Sequence, residues 1–491
     1  MKLKQLLALC LTCACLLTLF ACGDAASPQS DAIGSTAPTS ATPKPSTAHY
    51  TEDGKRIITI GTWGTLADVF YVSKHTDIYD DTSLPTLDAD YPDDDEGQAA
   101  RTDAERRINI AQMRLNKIRE IEEKYNVVIE LVNLTFAGIQ ESIRTSIPEG
   151  IPDVDIYQVD SQFGIPAVLS GYGVALEDIG LAETDVFNKQ AVTKNLQLAG
   201  QDKSYLFNQS QNGGLTARPL AFNLTMIEAA GLENPQDLYD RGEWTWEAWE
   251  EYLKVLTVDT DDDGTPNVYG YGGYWTDLLR NLLKSNGAGI ATGETQTLDS
   301  KETREVFDYI HKIYTADKTA RPWDGANWEI NNKLYAEGVL AFWIGADWIF
   351  NEQGYTGLPF EIGVVPWPCG PSGKPETNYA SDSDSTWYMI PQGAEDPEFI
   401  YNVIFDWLNW YDYDLDIAVD YSWARERYMS ERNFEYAQEM SAKQGFDLWE
   451  SLSKTTNFSL VFLMQGSQDT QALIDQYAES YQAALDTYFA K

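Results

Sequence analysis

The sequence predicts an α/β chain in which open, mostly parallel sheets carry helices on their faces. Two observations predict it. Short apolar segments, Ile57 to Thr62 (IITIGT), Val127 to Val132 (VVIELV) and Val154 to Val159 (VDIYQV), alternate with longer segments of helical period, and a strand, helix and second parallel strand close right-handed. The chain is also 491 residues long, enough for two or three domains with substantial cores. Open α/β sheets place ligand sites in the crevice beyond the carboxyl ends of their strands. Residues just after each strand are therefore the first candidates for a site.

The N-terminus precedes all of these elements. Lys2 and Lys4 head an apolar run from Leu6 to Phe20, and Leu19-Phe20-Ala21-Cys22 closes it. This resembles a bacterial lipoprotein signal peptide spanning 1–21, after which Cys22 is lipidated and becomes the first mature residue. A run this short is poorly suited to a permanent span, which needs about twenty residues. An ordinary secretory signal cut elsewhere is the alternative, and either reading exports the chain. Residues 22–54 then comprise the lipidated cysteine and a flexible linker, because Asp24 to Thr47 is mostly Ala, Ser, Thr, Pro and Asp with no apolar periodicity. A diacyl anchor bearing palmitate would hold the folded part on the outer face of the bacterial cell membrane.

Composition excludes several classes of function. The formal charge of −41 repels phosphate backbones and anionic headgroups, which argues against nucleic-acid binding. Cys10, Cys13 and Cys15 leave with the signal and Cys22 is lipidated, so Cys369 stands alone and no disulfide framework can form. His49, His75 and His311 are the only histidines, too few for a His-rich zinc site and a poor basis for a Ser-His-Asp triad. Neither a GxSxG elbow nor a GxxxxGK[ST] loop is present. The surplus is aromatic, with 15 Trp and 28 Tyr. Flat amphipathic rings stack on the apolar faces of pyranoses while nearby carboxylates and amides bond the hydroxyls.

Along the chain, the strand at Ile57 ends in Gly61-Thr62-Trp63. Residues 64–102 form a long excursion in which Asp77 to Glu96 carries nine acids and no base, the signature of a solvated loop, with calcium or a basic partner as the other reading. Asp103 to Tyr125 places Ile108, Ala111, Leu115, Ile118, Ile121 and Tyr125 at helical spacing, so one stripe packs inward. Ile139 to Ile147 reads as the next helix. Trp63 and the Asp160-Ser161-Gln162 turn both fall at the crevice end of their strands. Thr245 in Trp244-Thr245-Trp246-Glu247-Ala248-Trp249 can cap a helix whose positive end suits Glu247. Trp246 and Trp249 share a face of it and read as core.

Several segments then follow in a telling order: Gly150-Ile151-Pro152-Asp153-Val154-Asp155-Ile156-Tyr157, Ala221-Phe222-Asn223, Gly231-Leu232, WTWEAW at 244–249, DTDDDGTPNVYGYG at 259–272, YAEGVLAF at 335–342 with Trp348 downstream, EIGVVPWP at 361–368, and Asp396-Pro397-Glu398 before a helix. Over residues 55–410 this resembles the extracellular solute-binding proteins, family 1, that feed bacterial ABC sugar importers. The resemblance implies a two-lobe periplasmic-binding-protein-like α/β fold with hinge crossings near Pro219 to Asn223 and near Val364 to Pro368, and a ligand cleft between the lobes. Lobe one would be 55–219 plus about 369–415, and lobe two 220–368 plus about 416–491. The region from Tyr413 onward matches least clearly, and the acidic excursion is longer than the family's. The implied function is a monomeric, non-enzymatic lipoprotein that captures a carbohydrate, an oligosaccharide by chain size and aromatic content, by lobe closure and delivers it to ABC permease subunits.

The candidate cleft residues are Trp63, Asp160, Gln162, Trp275, Asp347, Trp348 and Trp387. Trp348 follows the GVLAFW strand, where the family often places a stacking aromatic. Trp387 follows the Ser-Asp-rich stretch 380–386, which reads as a loop facing the gap. A second constellation is Asp259, Asp261 and Asp263 with Gly264, Thr265 and Asn267. It matches the first two thirds of an EF-hand loop, but Gly270 stands where a bidentate Glu belongs. The expectation is a structural Ca2+ or, alternatively, an acidic turn, with no cofactor required. The rival from another class is a surface-anchored glycoside-active enzyme, which needs two carboxylates flanking one bond. An anchored scaffold with a degenerate cleft is the third reading.

Overall fold

The computed structural model describes residues 47–63, 87, 90–180, 203–207, 218–325, 328–345, 350, 358–375, 387–411, 428–443 and 448–489. Cys22, Asp347 and Trp348 lie outside the described residues, as does most of the acidic excursion.

The first sheet grows from the N-terminal strands. β1 (His49–Tyr50) and β2 (Arg56–Thr62) are followed by α1 (Asp95–Tyr125), β3 (Val127–Asn133), α2 (Phe136–Glu149), β4 (Ile156–Val159) and α3 (Ser161–Leu169). β2 runs parallel to β3 from Arg56↔Val127 to Thr62↔Asn133, and parallel to β4 through Ile60↔Ile156. α1 starts well before the expected Asp103. Asp94 caps it by accepting from the Gly97 amide at 2.8 Å. The end of the acidic run is thus a helix start rather than loop. Asn126, left-handed at φ 52°, stops α1 and turns the chain directly into β3.

The second sheet holds β5 (Leu220–Asn223), β6 (Tyr269–Tyr271), β9 (Leu340–Ile344) and β10 (Ile362–Val365), with the two-stranded hairpin β7 (Ala291–Thr292) and β8 (Thr295–Gln296) lying outside it. Its order is β10-β5-β9-β6, and only β6 and β9 run parallel. The expected parallel character therefore stops at the first sheet, because β5 pairs antiparallel with strands more than a hundred residues away. Around this sheet lie α4 (Trp246–Leu256), α5 (Trp275–Ser285), α6 (Lys301–His311) and α7 (Trp328–Ala336). Thr245 caps α4, accepting from the Ala248 amide at 3.3 Å. Trp246 stacks on Tyr309 with centroids 4.5 Å apart, and Trp249 is fully buried.

After β10 the chain stays with the second sheet through residue 372. The Cys369 amide donates to Trp244 O at 2.9 Å, Gly370 to Ser285 O at 3.0 Å and Ser372 to Asn286 Oδ1 at 2.9 Å, which satisfies groups at the end of α5. It then re-enters the first sheet as β11 (Trp387–Met389), antiparallel to β4.

The C-terminal helices divide between the two sheets. α8 (Pro397–Leu408) packs on α1 beside the first sheet. α9 (Glu431–Ala442) packs on β10, where buried Asn433 accepts from the Val364 amide at 2.8 Å and donates to Ile362 O at 3.0 Å. α10 (Trp449–Thr456) packs against α3 on one side and α11 (Thr470–Phe489) on the other, and α11 lies on β8 and α6. Both sheets belong to one compact unit. Among the described residues no helix is long and apolar enough to cross a membrane.

Candidate functional site

A cavity of about 900 Å³ opens where residues of the two sheets and of α10 converge. Its first-sheet wall is Trp63, just past β2, with Phe136 at the start of α2 and Asp160 and Gln162 at the start of α3. The Trp63 ring meets Phe136 edge-on at 5.6 Å and Phe163 at 6.1 Å, so aromatic packing fixes the indole. Asp160 caps α3, accepting from the amides of Gln162 (2.9 Å) and Phe163 (3.4 Å), while Gln162 Nε2 donates to its other oxygen at 3.3 Å.

The second-sheet wall comes from the segment leading into α5: Tyr274, Trp275, Thr276, Asp277 and Arg280, joined by Arg218 and Trp323. Trp275 is held against Phe458 at 6.0 Å and Tyr274 lies 6.3 Å from Trp323. Arg218 sits just before β5, where the Trp367 indole donates to its carbonyl at 2.7 Å. The third wall is α10 and its exit: Trp449, Glu450, Ser453, Lys454, Asn457 and Phe458.

A buried chain of charges runs along these walls. Arg218 donates to Asp277, whose carboxylate also lies 3.7 Å from Arg280 Nη1. Arg280 donates through Nη2 to Glu450, and Ser161 Oγ donates to the same carboxylate at 3.0 Å. Asp277 and Arg280 are each 3% exposed, and at that burial a charge persists only when paired and hydrogen-bonded. The Arg280 guanidinium also lies over the Trp449 ring, 5.3 Å from its centroid. The wall offers fixed donors, fixed acceptors and flat rings, the inventory for holding a hydroxyl-rich molecule.

Four of the residues singled out in the sequence, Trp63, Asp160, Gln162 and Trp275, are brought together on this wall. Trp387 is not. It opens β11 opposite Val159 and is 2% exposed within the apolar core, so the expected gap-facing loop is at this position a strand: Trp387 to Ile390 is a continuous apolar run buried throughout. Sequence reasoning missed Arg218, Asp277, Arg280 and all of α10. A signal existed for two of them, because Asp277 and Arg280 interrupt the leucines of α5 one turn apart, and charged residues on an apolar helix face are rarely buried unless paired.

The acidic loop at 259–267 does not contribute to the cavity wall. Carboxylate oxygens of Asp259, Asp261 and Asp263 lie within 4.8 Å of one another, a spacing that fits oxygens around one ion with bonds of about 2.3–2.6 Å. The Gly264 amide, donating to Asp259 at 2.7 Å, holds that carboxyl below its usual range. The Thr265 amide donates to Asp263 at 2.8 Å, and Asn267 Oδ1 is occupied by the Thr260 amide at 2.9 Å. At Gly270 an added Cβ would come within 2.7 Å of the Leu253 backbone, which excludes the bidentate Glu of the twelfth position. The donors whose spacing fits calcium are therefore the three aspartates.

Two sheets with flanking helices, joined by chain crossings around a cavity, define the two-lobe fold of periplasmic binding proteins. The sequence matches the model of the bacterial extracellular solute-binding protein family over residues 116–411, more than half of the chain, and the chain belongs to that family. Its members are extracytoplasmic binding proteins rather than enzymes. Solved structures agree. A solute-binding protein of an ABC transporter from Thermotoga lettingae, bound with α-D-tagatose, superposes with a TM-score of 0.58 at 15% identity, covering 87% of this chain and 99% of that one. The GacH receptor of Streptomyces glaucescens, described unliganded and with acarbose, gives 0.58 at 12% identity, covering 88% and 99%. An ABC substrate-binding protein from Listeria monocytogenes in complex with cycloalternan gives 0.55 at 16%, covering 76% and 95%. At these identities the likeness establishes the fold. No curated protein matches the sequence.

Proposed function

We propose that the chain is the substrate-binding component of an ABC importer and captures a carbohydrate, an oligosaccharide, in the cavity. One observation carries this reading: a cavity of about 900 Å³ lined by indole and phenol rings beside fixed carboxylate and guanidinium groups. That volume is at the upper end of ordinary ligand sites, about 300–1,000 Å³, and suits several sugar rings better than one. The sugars named with the Thermotoga, Streptomyces and Listeria proteins support the same ligand class. A binding protein makes no bonds. Contacts from both lobes lower the energy of the closed state relative to the open one, and a permease recognises the result.

Anchoring through a lipid on Cys22, delivery to permease subunits and a monomeric state belong to the same reading. The lobe boundaries remain 55–219 with about 369–415, and 220–368 with about 416–491, save that the hydrogen bonds of Cys369, Gly370 and Ser372 to Trp244, Ser285 and Asn286 favour giving 369–372 to the second lobe. The 259–267 loop is assigned a structural Ca2+, on the donor set described above.

Titration calorimetry with maltotriose and mannotriose, accompanied by tryptophan fluorescence, tests the function. Trp63→Ala and Trp275→Ala are each expected to weaken binding by about 1 kcal/mol or more, the scale of a lost aromatic contact, or about fivefold in Kd. No reducing ends should be released. A heatless titration with every oligosaccharide tried, or hydrolysis of any of them, would overturn the reading.

A further inference from the structure

α10 belongs to the segment where the family resemblance fades, yet it supplies a full wall of the cavity. It is wedged between α3, beside the first sheet, and α11, which lies on the second sheet's helices. Trp449 and Leu452 join one apolar cluster with Phe163 and Ile165 of α3 and with Leu473, Ile474 and Leu485 of α11. Hydroxyls add a seam toward α11: Ser451 with Tyr488 at 2.9 Å, Ser453 with Tyr481 at 2.5 Å and Thr455 with Tyr488 at 2.8 Å. The helix ends at Asn457, left-handed at φ 54°, which turns the chain into Phe458 against Trp275.

The Glu450 side chain reaches both walls at once. One carboxylate oxygen accepts from Ser161 at the start of α3, and the other from Arg280 of α5, which in turn neighbours Asp277 and, through it, Arg218. The carboxylate is 9% exposed. A buried ion pair of this kind does not slip freely, because separating it strands a charge away from water.

We propose that Glu450 is a positioning residue that sets the geometry of the cavity, tying the first-sheet wall to the second-sheet wall. A molecule held near its binding geometry does not pay the affinity penalty that falls on a receptor whose competent state is sparsely populated. The inference concerns the ligand-free chain and stands apart from the identity of the ligand.

The test is a distance measurement across the cavity of the ligand-free protein, from the first sheet's side to the second's. Spin labels at Ile151→Cys, before β4 of the first sheet, and Val255→Cys, on α4 beside the second, 42% and 49% exposed, report it by pulsed electron paramagnetic resonance. The parent is expected to give one narrow distribution. Glu450→Gln, which removes the charge, and Ser161→Ala, which removes only the first-sheet contact, should broaden it or shift it by more than about 2 Å, the size of a loop or hinge rearrangement. Ser161→Ala deletes a single hydroxyl, so its melting temperature should stay near the parent's, and a role confined to packing would leave its distances unmoved. A distribution identical to the parent's in Ser161→Ala would overturn the proposal, whether or not Glu450→Gln folds.

Discussion

The cavity and the 259–267 loop hold the same functional group under opposite conditions. Asp277 and Glu450 are buried, and each faces a guanidinium. Asp261 and Asp263 are exposed and Asp259 half-buried, and Asp259 and Asp263 accept from backbone amides of their own turn. Burial explains the difference. A carboxylate withdrawn from water carries a desolvation penalty of several kcal/mol that only a matched cation offsets, whereas a surface carboxylate remains solvated and its neighbours can crowd together with little penalty. The same comparison explains how a chain of net charge −41 can build a balanced cavity: Arg218, Arg280 and Lys454 stand on its wall with Asp160, Asp277 and Glu450.

The sharpest way to break that comparison is to remove a buried anion. Asp277→Ala leaves Arg218 and Arg280 without their shared partner, and the expected loss is about 3–5 kcal/mol of stability, the range for stripping one member from a buried pair. Urea unfolding checks it, and a loss below about 1 kcal/mol would mean that water reaches the guanidiniums. The loop should respond in the opposite sense, to addition rather than removal. Calcium at a hundred times its Kd would stabilise the fold by about 2.7 kcal/mol, read as a rise in Tm that EDTA reverses and Asp261→Ala abolishes. Identical melting curves in EDTA and in millimolar calcium would reduce the loop to an acidic turn.

What was legible in the sequence divides along similar lines. β2, β3 and β4 could be read because buried parallel strands are nearly continuous apolar runs, and because residues beyond their ends fall in one crevice, Trp63, Asp160 and Gln162 reached a common wall. The direction of β5 could not be read, since pairing with β9 and β10 is decided by contacts far along the chain. Trp387 was misplaced for the converse reason: the polar stretch before it suggested a loop, but the residue itself begins a buried strand. α10 was invisible because Trp449 to Thr456 carries no motif. Its meaning lies in Ser161 and Arg280, residues 289 and 170 positions away.

The smallest effect belongs to an intermediate case, Glu250 on α4, a carboxylate 16% exposed that receives both Lys254 and Lys312. Burial alone would push its carboxyl up, but the hydrogen bonds from the two lysines outweigh it and hold the group below the ordinary range. A carboxyl depressed in the folded state contributes stability that is fully present above its unfolded pKa of about 4.3 and is lost as pH falls through the lower folded value. Because the lysines are 50% and 43% exposed, solvent screening limits the contribution to less than about 1 kcal/mol. Glu250→Gln should therefore melt slightly below the parent at pH 7, and the gap should close as the buffer is taken below about pH 4. A gap that persists unchanged at low pH would assign the effect to packing of the side chain, and would place Glu250 with neither the buried pairs nor the solvated loop.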